Sequence, residues 1–165
     1  MKALAVDPTC LTYAMSSTPN PVTVSPSPQS PSSANLTFVA SCPPDVGSCK
    51  VGQIVITIPV GGGTDAADLT NVAAPLSAAS SSSSDGSVWQ VIAGVAPGTF
   101  IFKPQSGPVE ISTQALTIRV QSIQISSLVG TATIAISEWA ARGSGTPPTP
   151  PAPPSGKATV PVAKF

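Results

Sequence analysis

The chain consists of short runs of alternating apolar and polar residues, separated at close intervals by proline and glycine. In the clearest run, Leu116, Ile118 and Val120 alternate with polar residues, and Ile54, Ile56 and Ile58 repeat the pattern. A period of two places alternate side chains on one face of a β-strand. The chain has 20 prolines and 13 glycines, and none of its segments shows an amphipathic helical period. The sequence therefore predicts an all-β protein, an antiparallel sandwich of about seven to nine short strands.

The longest β signal contains a break in the alternation. Val120 and Ile123 are three residues apart, and Ile125 follows two residues later. A strand of strict period two cannot keep both sets on one face. We therefore expect a β-bulge near Gln121 and Ser122, or a strand that crosses between sheets at this point.

Two pairs of neighbouring strands are expected from the turn signals between them. Residues 36–41 and 53–58 flank a turn-forming segment and are interpreted as a hairpin. Residues 88–92 and 99–102 are separated by Gly94 and by the dipeptide Pro97-Gly98, and they form the second expected pair.

Changes in composition divide the chain into four parts. Residues 1–33 are interpreted as an N-terminal edge strand followed by a Pro/Ser-rich connector, and residues 34–141 as the sandwich core. Residues 142–157 are rich in proline and glycine and form a loop or a linker. Residues 158–165 either return as a C-terminal edge strand or begin a link to a following module, because Pro161 restricts them to an edge.

Charged residues are scarce, and this limits the possible functions. Seven basic residues balance seven acidic ones, and histidine is absent. Lys and Arg stand singly rather than in clusters, which argues against a nucleic-acid partner. Without histidine, the usual Ser–His and Cys–His forms of catalysis are excluded. We therefore predict no catalytic residues, no cofactor and no enzymatic activity.

The acidic residues give few candidates for a site. Asp65 and Asp68 follow three glycines and resemble a loose cation-binding loop, although two carboxylates are few for calcium and a simple turn explains them as well. Glu110 and Glu138 lie on predicted strands, where we expect them to face solvent.

The three cysteines allow a short disulfide. Cys42 and Cys49 flank a hexapeptide rich in turn-forming residues, which could bring them within bonding distance. The alternative is a pair of free thiols. With Cys42 bound to Cys49, Cys10 is either buried as a small apolar residue or paired with another chain.

Trp89 and Trp139 are the candidates for stacking on a sugar ring, together with Tyr13. Aromatic side chains in a sandwich also serve as core residues, and the two uses remain open.

The region from Leu36 to Trp139 contains Ser/Thr-rich strands, with Gly-Thr-Phe-Ile-Phe at residues 98–102 and Gly-Thr-Ala-Thr-Ile-Ala-Ile at residues 130–136. It resembles immunoglobulin-like modules of large bacterial surface or secreted proteins, and a jelly-roll-like sandwich is the alternative. The resemblance implies a non-catalytic structural or protein-interaction module in an extracellular or assembly-forming protein. Its partner would be a protein or a second copy, bound through uncharged sheet edges. A carbohydrate-binding or adhesin-like module is the alternative, and a hydrolase is the third.

No apolar run reaches the length of a membrane span. The apolar stretch after Lys2 is too short for a secretory signal. Extracellular or cell-surface localisation is nonetheless favoured over the cytoplasm by the resemblance.

Overall fold

The computed structural model describes residues 4–165, so Met1, Lys2 and Ala3 at the start of the predicted N-terminal part lie outside it. The described chain forms eleven strands and a single 3-10 turn, Leu76–Ala78. The strands are β1 (Leu4–Asp7), β2 (Thr12–Thr18), β3 (Ser33–Ser41), β4 (Cys49–Thr57), β5 (Ala79–Ser83), β6 (Trp89–Ala93), β7 (Thr99–Pro104), β8 (Val109–Ile111), β9 (Ala115–Gln124), β10 (Gly130–Arg142) and β11 (Gly156–Lys164).

These strands form two antiparallel sheets, which confirms the predicted β-sandwich. The larger sheet has the order β1-β11-β10-β4-β7-β6, and the short strand β8 also pairs with β4. The smaller sheet has the order β2-β3-β9-β5. Short strands such as β5 and β8, which have little apolar alternation, raise the number above the expected seven to nine. The immunoglobulin-like assignment stays a prediction.

The core lies between the sheets and follows from the alternation in the sequence. Ile54 and Ile56 on β4 face Phe38 and Ile118 from the smaller sheet across one continuous cluster of buried residues. Each large apolar side chain buried in this way contributes about 1.5–3 kcal/mol. The sandwich is thus held mainly by the inward-facing half of each strand.

The bulge expected near Gln121 and Ser122 is confirmed. Leu36 pairs with Val120 and Ala34 pairs with Ile123, so β9 has one more residue than β3 at this point. Ser122 takes up the extra length with a φ of 56°. Its backbone N–H donates to Asn35 Oδ1 at 2.8 Å. The bulge returns Ile123 to the buried face.

The expected hairpin of residues 36–41 and 53–58 is wrong. β3 pairs with β2 and β9 in the smaller sheet, whereas β4 pairs with β7, β8 and β10 in the larger one. Each strand is buried on one face. The connection at residues 42–48 passes from the smaller sheet to the larger one at the end of the sandwich, so the buried faces of β3 and β4 lie on opposite sides of the core. The second expected pair is confirmed, because β6 and β7 are antiparallel neighbours.

The predicted disulfide between Cys42 and Cys49 is also wrong. Cys49 is bonded to Cys10, with the two Cα atoms 5.9 Å apart, and Cys42 is a free, half-buried thiol. Thr12 pairs with Ser41 on β3, so Cys10 lies at the same end of the sandwich as Cys49. The bond closes a sequence separation of 39 residues. It joins the segment that precedes β2 of the smaller sheet to the first residue of β4 in the larger one.

The C-terminal strand is an internal strand of the larger sheet rather than an edge strand. β11 pairs with β10 along nine registered positions and with β1 on its other side. The Pro/Gly-rich segment connects β10 to β11 as a loop. Trp139 donates its indole N–H to Ala152 O at 2.9 Å, which fastens the loop to the outer face of the sheet.

Glu138 faces the core rather than solvent, in contrast to the sequence expectation, and it is 1% exposed. Its carboxylate accepts hydrogen bonds from the backbone N–H of Cys10 at 2.6 Å and of Leu11 at 3.1 Å. The Tyr13 hydroxyl donates to it at 2.8 Å. Burial raises the pKa of Glu138, and the three hydrogen bonds oppose this shift. The Glu138 carboxyl group thereby connects β10 of the larger sheet to β2 of the smaller one and to the residues just before it.

Replacement of Cys49 with serine should lower the free energy of unfolding by about 2–4 kcal/mol, because the unfolded chain loses its long-range crosslink. Urea unfolding monitored by tryptophan fluorescence measures the change. Cys42→Ser is the matched control and should alter stability by less than about 0.5 kcal/mol. Equal losses in both variants would contradict the Cys10–Cys49 bond.

Glu138→Gln should lower the free energy of unfolding by about 1–3 kcal/mol, because the amide turns two N–H donors toward the donors of Cys10, Leu11 and Tyr13, whereas a carboxyl group presents at most one. Folding raises the pKa of this carboxyl group above its ordinary value of 4.5. Its contribution to the free energy of unfolding is therefore complete below pH 4.5 and declines as the pH rises through the pKa of the folded protein. The stability difference between wild type and variant should therefore be greatest below pH 4.5 and shrink toward neutrality.

Chemical denaturation at a series of pH values measures this difference, with the exposed Glu110→Gln as control. A difference that increases with pH would contradict the raised pKa of Glu138.

Candidate functional site

The strand register defines two ends of the sandwich. At one end, the Cys10–Cys49 disulfide lies beside the start of β4 and the end of β10. At the other end, β4 finishes at Thr57, which pairs with Thr99 at the start of β7, and β6 ends at Ala93. The loops 58–78, 94–98 and 125–129 and the C-terminal Phe165 lie at this second end.

Exposed apolar side chains are concentrated at the second end. Among residues 8–165, seven large apolar side chains are exposed, and six of them lie there. We call this set the apolar end: Val72, Leu76, Ile92, Val95, Val129 and Phe165. The seventh, Val88, precedes β6 at the disulfide end and is 61% exposed. Single exposed apolar residues are ordinary on protein surfaces, but their collection at one end is typical of a contact surface.

Charged side chains show the opposite distribution. Near the disulfide end lie Asp45, Lys50, Asp85, Lys103, Glu110 and Arg142. Hydrogen bonds from Ser83 and Ser87 lower the pKa of Asp85 to about 2, so this exposed carboxylate stays ionised. At the apolar end the described chain has Asp65, Asp68 and Lys164, and Lys164 is buried. Exposed charge is therefore sparser at the apolar end, where Asp65 is exposed and Asp68 is half-buried, than at the disulfide end.

A shallow depression of about 220 Å³ lies within the apolar end. Leu76 and Val95 stand at its sides, and Ala93 and Phe100 of the β6–β7 pair contribute to its lining. None of the lining residues is charged. Val95 is fully exposed at the tip of the β6–β7 turn. The surface is suited to dispersion contacts and burial of apolar area rather than to polar chemistry.

The turn that carries Val95 is held close to the end of β4. The N–H of Ile58 donates to Gly98 O at 2.9 Å. Gly98 has a φ of 77°, and a Cβ atom there would stand 2.3 Å from Ile58 O. Glycine is therefore required for the turn to pack against β4.

The edge strand β6 continues this surface along the side of the sandwich. It pairs with β7 on one side and ends the strand order of the larger sheet on the other. Gln90, Ile92 and Ala93 are exposed on it, and no residue of β6 is charged or a proline. Such an edge carries none of the charged or proline residues that often prevent pairing with another strand.

Lys164 anchors the end of β11 beneath the apolar end. Its ammonium group donates to the carbonyl oxygen of Asp68 and, at 2.7 Å, to Ser126 Oγ. Burial lowers the pKa of Lys164, and the carboxylates of Asp68 and Asp65 oppose this shift. The cation is 1% exposed, so it fastens the loops from inside and adds no charge to the surface.

The candidate cation residues form a turn in the structure. The Asp65 carboxylate accepts the backbone N–H of Ala67 at 2.9 Å, and the Asp68 N–H donates to Asp65 O at 3.2 Å. Within residues 4–165, no group of three or more Asp, Glu, Cys or His side chains is placed to hold a metal ion. The sequence favours a turn here, and a metal site at Asp65 and Asp68 stays the untested alternative.

The aromatic candidates are largely covered. Trp89 is 9% exposed in the core, and its indole N–H has no hydrogen-bond partner. Trp139 is half-buried under the Pro-rich loop, and Tyr13 is buried beside Glu138. The structure does not bring the two tryptophans to one open face, so sugar stacking by them stays a prediction without geometric support.

The apolar end was not found from the sequence. Its six residues come from five separated segments: the loop 58–78 contributes two exposed apolar side chains, and the other four segments contribute one each. The available signal was that Val72, Val95 and Val129 fall outside the alternating runs. An isolated valine in a loop does not indicate by itself which other loops lie beside it.

No helix within residues 4–165 has the length and apolar character needed to cross a membrane.

Comparison with known proteins gives similarity of fold at very low sequence identity. No protein-family profile and no curated protein matches the sequence. A DUF4466 family protein from Parabacteroides merdae has a TM-score of 0.48 at 12% identity, covering 95% of this chain and 44% of that one. This chain thus spans less than half of that protein.

Two further solved structures are similar over nearly their whole length. The collagen-binding domain of a Staphylococcus aureus adhesin has a TM-score of 0.48 at 10% identity, covering 92% of this chain and 96% of that one. BslA, described as a bacterial hydrophobin, has a TM-score of 0.45 at 11% identity, covering 93% of this chain and 95% of that one. At these values no ligand or activity is transferred to this chain.

Proposed function

We propose that this protein is a non-catalytic structural module that associates with further copies of itself through the apolar end and the adjoining β6 edge. The observation that carries the proposal is the partition of the surface: among residues 8–165, six of the seven exposed large apolar side chains lie at one end, where Lys164 is buried. Apolar area that stays in contact with water is a driving force for association.

A second copy is the partner favoured by the charge pattern. The chain has seven basic and seven acidic residues, so two copies carry no net charge that would keep them apart. The depression between Leu76 and Val95 has no charged residue that would select an oppositely charged partner. The same apolar surface on another copy is therefore a matching partner.

The β6 edge gives this association a defined geometry. Two copies of an edge strand can pair antiparallel about a two-fold axis, so that each residue contacts its counterpart symmetrically. Ile92 is exposed on this edge and also belongs to the apolar end. Because the paired strands run in opposite directions, pairing along β6 would leave the two apolar ends at opposite ends of the pair, where each can contact the apolar end of a further copy.

The disulfide supports an extracellular or cell-surface location for such a module. Cys10–Cys49 joins the two sheets, and disulfides of this structural kind persist in oxidising compartments. A neutral surface with few charges also relies on Ser and Thr for hydration, which suits a structural role without a diffusing charged ligand.

Light scattering after size exclusion, over a hundredfold range of protein concentration, tests the proposal. Wild type is expected to form dimers or larger species as concentration rises. Val95→Lys and Ile92→Lys should each weaken association at least about tenfold, because each would bury an unpaired ammonium group in an apolar interface.

Ala14→Lys is the matched control, since it places the same charge on an exposed side chain of β2 in the smaller sheet, away from β6 and from the apolar end. It should leave association within about twofold of wild type. A wild-type chain that stays monomeric at every concentration, or an equal effect of Ala14→Lys and Val95→Lys, would overturn the proposal. Circular dichroism of the three variants checks that each remains folded.

A further inference from the structure

We propose that the free thiol of Cys42 exchanges with the Cys10–Cys49 disulfide, so that the protein interconverts between two disulfide forms, Cys10–Cys49 and Cys42–Cys49. This inference is independent of self-association. It arises from the disulfide end of the sandwich, where three sulfur atoms from separate segments meet.

The arrangement of the three sulfur atoms carries the proposal. Cys42 Sγ lies 3.6 Å from Cys49 Sγ, which is itself bonded to Cys10. Cys42 directly follows β3 and Cys49 begins β4, so the short connection between the two strands keeps the thiol beside the disulfide. The attacking group and the sulfur under attack are thus already in contact in the folded chain.

The thiol is also accessible to solvent, which can remove its proton. Cys42 is half-buried and lines an open groove of about 470 Å³ formed by β2, β3 and the start of the turn. Cys10 and Cys49, in contrast, are buried. The groove gives the Cys42 sulfur contact with water, whereas the disulfide is shielded from external thiols.

The exchange step is balanced within the chain. Cys42 loses its proton to water, and its thiolate attacks Cys49 Sγ. The Cys42–Cys49 bond forms as the Cys10–Cys49 bond breaks, and the Cys10 thiolate that leaves takes up a proton. One disulfide and one thiol are present before and after, so no oxidant or reductant is consumed.

Exchange would change which segments of the chain the disulfide joins. The Cys10–Cys49 bond spans 39 residues of sequence, whereas Cys42–Cys49 spans seven. In the second form the segment before β2 has no covalent attachment to the larger sheet. It is held by the β1–β11 pairing and by the hydrogen bonds of Cys10 and Leu11 to Glu138.

The surroundings of Cys42 make the exchange slow at neutral pH. Burial raises the pKa of the Cys42 thiol, and the carboxylates of Asp45 on the turn and Glu138 on β10 raise it further. A small fraction of thiolate is present at neutral pH, and this fraction increases about tenfold per pH unit below the pKa. The two forms should therefore equilibrate faster in mildly alkaline solution.

Peptide mapping of the natively folded protein tests the proposal. Protein equilibrated at pH 8.5 is quenched in acid, unfolded, labelled with a maleimide and digested without reduction. Wild type is expected to give label on Cys42 and a measurable share on Cys10, together with a peptide pair linked through Cys42 and Cys49. In a time course after transfer to pH 8.5, the rate at which the Cys10-labelled share approaches its final value should not change on tenfold dilution, because the exchange is intramolecular.

Two variants provide the controls. Cys42→Ser should carry no label, since its two remaining cysteines are bonded to each other. Cys10→Ser, refolded with reduced and oxidised glutathione, should form the Cys42–Cys49 disulfide. Label confined to Cys42 in wild type after prolonged incubation would overturn the proposal, as would free Cys42 and Cys49 thiols in Cys10→Ser. A rate of Cys10 labelling that falls with dilution would assign the exchange to contacts between chains and overturn it as well.

Discussion

The attachment of the two sheets to each other at one end is the constraint on which the rest of the structure depends. Glu138 reaches across the core from β10 and accepts hydrogen bonds from Cys10, Leu11 and Tyr13, while Cys10 is covalently bound to Cys49. An isolated buried carboxylate would be costly, but this one is surrounded by donors. Because β2 and β4 are fixed here, their other ends are free to carry loops of irregular sequence.

The opposite end is held by polar contacts from beneath its surface. Lys164 donates to Asp68 O and Ser126 Oγ. The backbone N–H of Phe165 donates to Val22 O and that of Val24 donates to Phe165 O, which joins the Pro/Ser-rich connector to the end of β11. These contacts satisfy the polar groups of the loops internally, so small and apolar side chains are left on the outside. The two ends thereby acquire different chemistry: sulfur and charge at one, apolar contact at the other.

This division connects the two proposals without making either depend on the other. Self-association concerns Ile92, Val95 and their neighbours, whereas disulfide exchange concerns Cys10, Cys42 and Cys49 at the far end of the same strands. Neither requires a proton carrier of the kind that histidine supplies, and the chain has none. The chemistry available is burial of apolar area, strand pairing and the exchange of sulfur bonds.

Local patterns in the sequence determined the all-β class, the β6–β7 hairpin and the bulge near Ser122, because each depends on side-chain alternation over a few residues. The partner of Cys49, the burial of Glu138 and the collection of isolated valines at one end were decided by the tertiary structure alone. Each of these depends on which strands enter which sheet. That choice brings together residues such as Cys10 and Cys49, 39 positions apart, and it is made by packing across the core rather than by neighbouring residues.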